Sequence, residues 1–299
     1  MSSNRVEVRD FLVSRRAKIT PQMAGLPLYG TNRRVPGLRR EEVAMLAGLS
    51  VDYYTRLEKG NISGVSETVL HAVADALQLD EAERAYLFDL ARAANASSRA
   101  PRRARAQQIR PAVQHLIDGM TTSAVFVRNA RLDIVAVNPL GRALYAPVFD
   151  SPVNIPGQAP NLARYWFFDP KAGDFYDAEA AADTHVALLR AEAGRDPYNK
   201  DLTDLIGELS TRSEMFRTRW AAQNVRNHNS GVKTFNHPVV GELNLSYEAM
   251  ELSTDAGLTL TAFIAEPGSP SADALALLAN WAATHRDRAP VQSNRNAQQ

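Results

Sequence analysis

The segment LRREEVAMLAGLSVDYYTRLEKG, residues 38–60, determines the fold of the N-terminal part of this 299-residue chain. Two helical stretches in it flank a three-residue break. Ala44 is small enough for a second helix to cross closely, and Gly48 tolerates the left-handed backbone of a tight turn. Leu49 can fill the core between the two helices, and Ser50 can cap the second helix. The spacing therefore predicts two short helices that pack across each other.

The same segment matches the spacing of a repressor-type helix-turn-helix unit at five positions, which are Ala44, Gly48, Leu49, Tyr54 and Leu57. A plain helical hairpin with a glycine turn is the alternative. Helical periodicity continues on both sides, over residues 8–12 and 66–77, and a further helix starts at Asp80 with Glu83 at the capping-box position. An all-α helix-turn-helix bundle is predicted for residues 1–95.

The side chains that such a unit leaves exposed form a candidate DNA-binding set. In this motif the second helix enters the major groove with its N-terminal residues at the base edges. Val51 can contact a thymine methyl group, and Asp52 can accept a hydrogen bond from a cytosine amino group. The predicted DNA-binding residues are Arg33, Arg34, Arg40, Ser50, Val51, Asp52, Tyr53, Thr55, Arg56 and Lys59. For each single charge among them, an ordinary solvated side chain is the alternative.

The charge distribution supports a polyanionic partner for the N-terminal part alone. Residues 1–59 contain 11 Lys and Arg against 6 Asp and Glu, whereas residues 106–299 contain 17 against 21. A basic first part followed by an acidic second part is typical of nucleic-acid binding through the first part. Chance scatter of a few charges is the alternative.

The rest of the chain is predicted to form a second domain. Residues 96–106 are small, polar and basic and are predicted to be a linker. Residues 107–285 contain two short β-branched runs, then helical stretches, then three alternating runs. This order predicts an α+β PAS-like domain with a five-stranded antiparallel sheet and helices over one face. Residues 286–299 are predicted to be a disordered tail.

An apolar pocket with a few polar anchors is expected in this second domain. The predicted ligand-binding residues are Phe126, Asn138, Trp166, Phe167, Phe216, Trp220 and Tyr247. Arg190, His228 and His237 are further candidates, with Asn138, for anchoring a carboxylate. A structural role is the alternative for each of these residues, the aromatic ones as ordinary core and the polar ones as hydrogen-bonding groups.

Several sequence runs resemble the MmyB-like transcription regulators over roughly residues 8–280. They are RRVPGLRREEVAMLAGLSVDYYTRLEKG at 33–60, RYWFFDP at 164–170, LLRAEAGRDP at 188–197, SEMF at 213–216, HPVVGELNL at 237–245 and AEPGSPS at 265–271. The resemblance implies a helix-turn-helix joined to a PAS-like sensor for a small apolar ligand, with fatty acids among the candidates. Trp166 stands where an aliphatic residue is expected, so the pocket shape is expected to differ.

Other function classes find little support in the sequence. The chain has no cysteine, which excludes disulfides, a cysteine nucleophile and thiolate metal sites. Its six histidines show no helical metal-ligand spacing, and no catalytic motif is present, so we expect no enzyme, metal or cofactor. We expect a cytoplasmic homodimer that binds double-stranded DNA and no membrane. The alternative is a helix-turn-helix scaffold or antitoxin that contacts proteins and has no small-molecule ligand.

Overall fold

The computed structural model describes residues 3–27, 35–95, 109–225 and 229–286. The chain forms two compact units, and each is discontinuous in sequence. Unit 1 consists of Met1–Arg105 and Ala182–Asn227, and unit 2 consists of Ala106–Ala181 and His228–Gln299. The predicted second domain included residues 182–227, which the contacts place in unit 1. The predicted linker, 96–106, lies outside the described residues, as does the predicted tail, 286–299, apart from Arg286.

The described residues contain fourteen helices, in chain order. They are α1 (Ser3–Lys18), α2 (Arg40–Leu46), α3 (Val51–Glu58), α4 (Glu67–Ala76), α5 (Glu81–Asn95), α6 (Pro111–Asp118), α7 (Pro139–Leu144), α8 (Ala146–Phe149), α9 (Leu162–Phe168), α10 (Ala172–Phe175), α11 (Ala178–Arg195), α12 (Lys200–Arg212), α13 (Glu214–Ala221) and α14 (Pro270–Arg286). None of them is long and apolar enough to cross a membrane, within the part of the chain that the structure describes.

The first five helices confirm the predicted helical N-terminal region, and their ends follow from local capping. Gly48 has φ +65° in the turn between α2 and α3, the left-handed conformation that favours glycine. Next to it, the Leu49 N–H bonds to the Ala44 carbonyl at 2.8 Å, which closes the end of α2. Asp80 and Glu83 form the predicted capping box at the start of α5, with N–H···O distances of 2.8 and 3.3 Å.

Unit 1 gains three further helical segments from the second half of the chain. Most of α11, together with α12 and α13, belongs to it. The apolar periodicity of residues 201–223 predicts one continuous helix, but the helix is interrupted at Ser213. This residue has extended backbone angles (φ −123°, ψ 115°), and its hydroxyl accepts the Phe216 N–H at 3.2 Å. Ser213 therefore ends α12 and caps α13, because serine satisfies a free N–H at a helix start.

Unit 2 is built on a five-stranded antiparallel sheet, as predicted. Its strands are β1 (Ala124–Arg128), β2 (Ile134–Val137), β3 (Ser230–His237), β4 (Gly241–Glu251) and β5 (Thr259–Ile264), in the spatial order β2-β1-β5-β4-β3. β1 and β2 form the predicted hairpin, and β5 pairs with both β1 and β4. The fold class is therefore confirmed as a helical N-terminal region followed by an α+β region.

The two faces of this sheet bury different side chains. Val125 and Val127 on β1, and Leu260 on β5, pack with α6 into one small aliphatic core. Alternate residues point the opposite way, because the side-chain period of a strand is two. We call this opposite side the inner face, and it carries Phe126 and Phe263. Aromatic residues thus concentrate on one side of the sheet.

Candidate DNA interface and ligand pocket

The N-terminal end of α3 presents an exposed surface, as the helix-turn-helix prediction requires. Ser50, Val51 and Asp52 are exposed, and Val51 retains 46% of its accessible surface. The Ser50 hydroxyl accepts the Tyr53 N–H at 3.1 Å and so fixes the start of the helix. An exposed apolar side chain beside an exposed carboxylate is suited to reading base edges.

One turn further along, α3 presents cations on the same side. The Arg56 guanidinium lies over the Tyr53 ring at 5.6 Å from its centroid, a cation–π distance. Arg56 and Lys59 are both exposed, and Thr55 is half-buried. This places positive charge beside the residues that would face the bases, which suits phosphate contacts.

The buried side of α3 is fixed by a carboxylate, Glu58, which was not among the residues predicted from the sequence. Glu58 is 1% exposed and accepts hydrogen bonds from Arg16 Nε at 2.5 Å and from Arg40 Nε at 2.6 Å. Burial opposes ionisation of Glu58, but the two arginines outweigh it and hold the pKa of this carboxyl below its usual range. We call Arg16, Arg40 and Glu58 the ionic clasp. It joins α1, α2 and α3 and turns the opposite side of α3 outward.

The clasp changes the interpretation of Arg40, which the sequence predicted as a phosphate contact. Its side chain is an ion-pair partner of Glu58, yet 49% of it remains exposed. A guanidinium has five N–H donors, so one partner does not exhaust it. Arg40 therefore combines a structural role with a remaining capacity for phosphate. The other two predicted loop contacts, Arg33 and Arg34, lie outside the described residues.

On the inner face of the sheet, seven rings form one continuous group, which we call the inner aromatic cluster. Its members are Phe126, Tyr145, Phe175, Tyr176, Phe235, Tyr247 and Phe263, with neighbouring centroids 5.0–6.1 Å apart. Phe126 and Tyr247 were predicted ligand-binding residues. The other five were missed, although the alternation along β3 and β5 places Phe235 and Phe263 on the inner face.

Trp166 adjoins this cluster, and Phe167 follows it on the same helix. The Trp166 ring stacks on Phe175 at 6.4 Å and contacts Tyr176 edge-on at 5.4 Å. Both Trp166 and Phe167 are half-buried. Trp166 is therefore well placed to report on changes at the cluster.

Two of the predicted polar anchors instead hold the backbone. Asn138 is 1% exposed. Its amide oxygen accepts hydrogen bonds from the Val125 and Gly141 N–H groups at 3.0 and 2.7 Å. Its amide nitrogen donates to backbone carbonyls. His237 donates from Nε2 to the Ala143 carbonyl at 3.1 Å and accepts the Val239 N–H at Nδ1. Burial lowers the pKa of His237, which favours its neutral form. The third anchor, His228, lies outside the described residues.

Phe216 and Trp220 do not share a unit with the other predicted pocket residues. Both lie on α13 in unit 1, where their rings stack at 5.5 Å and Phe216 is fully buried. Trp220 borders a cavity of about 140 Å³. Ligand pockets span roughly 300–1,000 Å³, so this cavity is small for an acyl ligand.

Arg190, another candidate anchor, is occupied within unit 1. Its side chain is fully buried and bonds to Glu7, to Gln223 Oε1 at 2.5 Å and to the Trp220 carbonyl. The guanidinium also lies over the Trp220 ring at 4.1 Å. These contacts join α1, α11 and α13, and they explain why residues 182–227 belong to unit 1.

A cleft of about 490 Å³ lies beside α7 and α14 in unit 2. Asn138, Arg142 and Trp281 are among the residues that line it. The described residues contain no group of three or more His, Asp or Glu side chains placed to hold a metal ion.

Comparisons with known proteins agree with this architecture. The profile of a helix-turn-helix domain family matches residues 15–87, and that of the MmyB-like transcription regulator ligand binding domain matches residues 109–278. Together with the fold, these matches define a DNA-binding transcription regulator with a ligand-binding domain. Because the second match covers more than half of the chain, the chain belongs to the family of MmyB-like transcription regulators. No curated protein matches the chain.

Proposed function

We propose that this regulator reads a specific DNA sequence with the N-terminal residues of α3 and responds to a small apolar ligand, a fatty acid or a related acyl compound, in unit 2. It acts in the cytoplasm as a homodimer, since helix-turn-helix proteins commonly bind two half-sites one helical turn apart. The observation that carries the proposal is the exposed face formed by Ser50, Val51 and Asp52 on a helix whose opposite side is locked by the ionic clasp.

The different chemistry of the two ends of α3 supports sequence-specific DNA binding. Asp52 and Val51 have complementary chemistry for base edges, whereas Arg56 and Lys59 supply charge for the backbone. A recognition helix that is already rigid loses less conformational entropy on binding DNA than a mobile one does. The ionic clasp supplies that rigidity.

The inner aromatic cluster supports the sensor part of the proposal. A ligand pocket is typically apolar with a few placed polar groups, and seven rings on one face of the sheet fit the apolar part of that description. The strand order β2-β1-β5-β4-β3, with helices α7 to α13 between β2 and β3 in the chain, is consistent with a PAS-like sensor.

The DNA arm of the proposal is tested by fluorescence anisotropy of the full chain on labelled duplexes at increasing salt. If each subunit neutralises about four phosphates, a dimer gives a log–log slope of roughly −7. A flat salt response, or no duplex binding with any sequence from a randomised library, would refute DNA reading and favour the protein-scaffold alternative.

The ligand arm is tested with a series of saturated carboxylates of increasing length, followed by tryptophan emission in the wild type and in Trp166→Phe, because Trp220 and Trp281 emit as well. Each buried methylene contributes about 0.8 kcal/mol, so affinity is expected to rise with chain length until the pocket is full. An affinity that does not depend on length, with unchanged tryptophan emission, would leave the inner aromatic cluster as ordinary core.

A further inference from the structure

The inner face carries one lysine whose position ordinary core packing does not explain. Lys233 lies on β3, opposite the fully buried Leu245 on β4. Its ammonium nitrogen lies 4.8 Å from the centroid of the Tyr247 ring and 5.5 Å from that of Tyr176, and the Phe263 ring is 5.8 Å away. The residue as a whole is half-buried, and protein surrounds most of the ammonium group. Three rings thus contact one cation.

This ammonium group has no hydrogen-bond acceptor or carboxylate partner among the residues that the structure describes. Likewise, the hydroxyl groups of Tyr145, Tyr176 and Tyr247 make no hydrogen bond within those residues, and neither these hydroxyls nor the Lys233 ammonium group is fully enclosed by protein. The three hydroxyls are near enough to one another that the charge on one would raise the pKa of another. Four hydrogen-bond donors therefore meet on the inner face without a protein acceptor.

These donors lose their hydrogen bonds to water when an apolar ligand fills the space beside them, unless the ligand supplies an acceptor. Buried polar groups are normally hydrogen-bonded, and a buried cation is normally paired. Burial, together with the positive charge of Arg128, lowers the pKa of Lys233 to about 8, so the free protein resists the charged form. A bound anion would reverse both effects and supply acceptor lone pairs to the hydroxyls.

We propose that Lys233, Tyr145, Tyr176 and Tyr247 bind the ionised carboxylate of the acyl ligand, with its chain lying among the rings of the inner aromatic cluster. This assignment rests on the proposed ligand response and makes it more specific, because it requires an anionic head group. A neutral alcohol or ester of the same chain length would lack the charge that Lys233 recognises.

The test uses the full chain and two probes of equal chain length, dodecanoate and dodecan-1-ol, titrated by calorimetry and by tryptophan emission. Lys233→Met removes the charge and keeps the chain volume, and Lys233→Arg keeps the charge. Lys200→Met is the matched control, because Lys200 is exposed and pairs only with Asp204 on its own helix among the described residues. Thermal melts verify that each variant is folded.

Wild-type protein is expected to bind dodecanoate more tightly than dodecan-1-ol. Lys233→Met should weaken dodecanoate about 10- to 100-fold and change dodecan-1-ol by less than about threefold, because charge-assisted hydrogen bonds contribute only to the anion. Lys233→Arg should retain most of the preference, and Lys200→Met all of it. Tyr145→Phe should weaken dodecanoate by a smaller factor.

Equal binding of the two probes by wild type, or unchanged dodecanoate binding by Lys233→Met, would overturn the head-group assignment while the acyl response stands. If neither probe binds the wild type while duplex binding persists, the acyl ligand itself is refuted. The two failures are therefore distinguishable.

Discussion

Removing the charge of Glu58 should destabilise unit 1 more than almost any other conservative change in it. Glu58→Gln keeps the side-chain shape and one acceptor but leaves Arg16, which is 14% exposed, without its carboxylate. Breaking a buried ion pair from one side costs about 3–5 kcal/mol. Because half of the Arg40 side chain is exposed and water can solvate it, we expect the lower end, about 3 kcal/mol.

The assay is urea and thermal unfolding followed by circular dichroism. A loss of about 3 kcal/mol corresponds to a fall in Tm of roughly 6–12 °C for a domain of this size. Glu41→Gln is the matched control, since Glu41 is 62% exposed and its ion pair with Arg39 spans 3.3 Å. That variant should lose no more than about 1 kcal/mol.

The pH dependence gives an independent check. The pKa of Glu58 is lower in the folded state than its ordinary value of 4.5, so its contribution is complete above pH 4.5 and is lost as pH falls through the folded-state pKa. The stability difference between wild type and Glu58→Gln should therefore shrink on acidification below pH 4.5. A difference under about 1 kcal/mol at pH 7, or one that does not depend on pH, would refute the clasp.

Three further outcomes are expected. In anisotropy titrations, Asp52→Ala should alter base preference at one position and leave non-specific affinity equal or slightly higher. Arg40→Ala should weaken the binding of all duplexes alike and flatten the salt slope by about 1 per subunit. Exchanged effects of the two variants would mean that α3 is oriented differently. Gly48→Ala should cost about 1 kcal/mol in urea unfolding, because the turn needs φ +65° although a Cβ there meets open space; an unchanged midpoint would contradict the strain. Phe216→Ala should lower the stability of unit 1 by about 3–5 kcal/mol while the folded protein still binds dodecanoate; selective loss of ligand binding would return Phe216 to the pocket.

The helix-turn-helix could be predicted in detail because its determinants are local. Gly48 and Ser50 set the turn and the cap within a few residues, and backbone sterics and capping act at that range. The strands were predictable for a related reason, since alternation along one segment reveals a half-buried sheet. The break at Ser213 was missed because the apolar period continues across it, and only the backbone angles reveal the interruption.

The candidate sites depended on contacts between distant segments, which periodicity does not specify. Glu58 meets Arg16 across 42 positions, and Arg190 meets Glu7 across 183, so nothing local marks either pair. Lys233 looks like an ordinary surface lysine in sequence. Its place among rings follows from the register of β3 on β4, since a shift of one residue would turn it to the other face. The sequence by itself determined the elements and the DNA-reading helix, and the tertiary structure decided which charges meet, because burial and pairing of charges depend on distance in space.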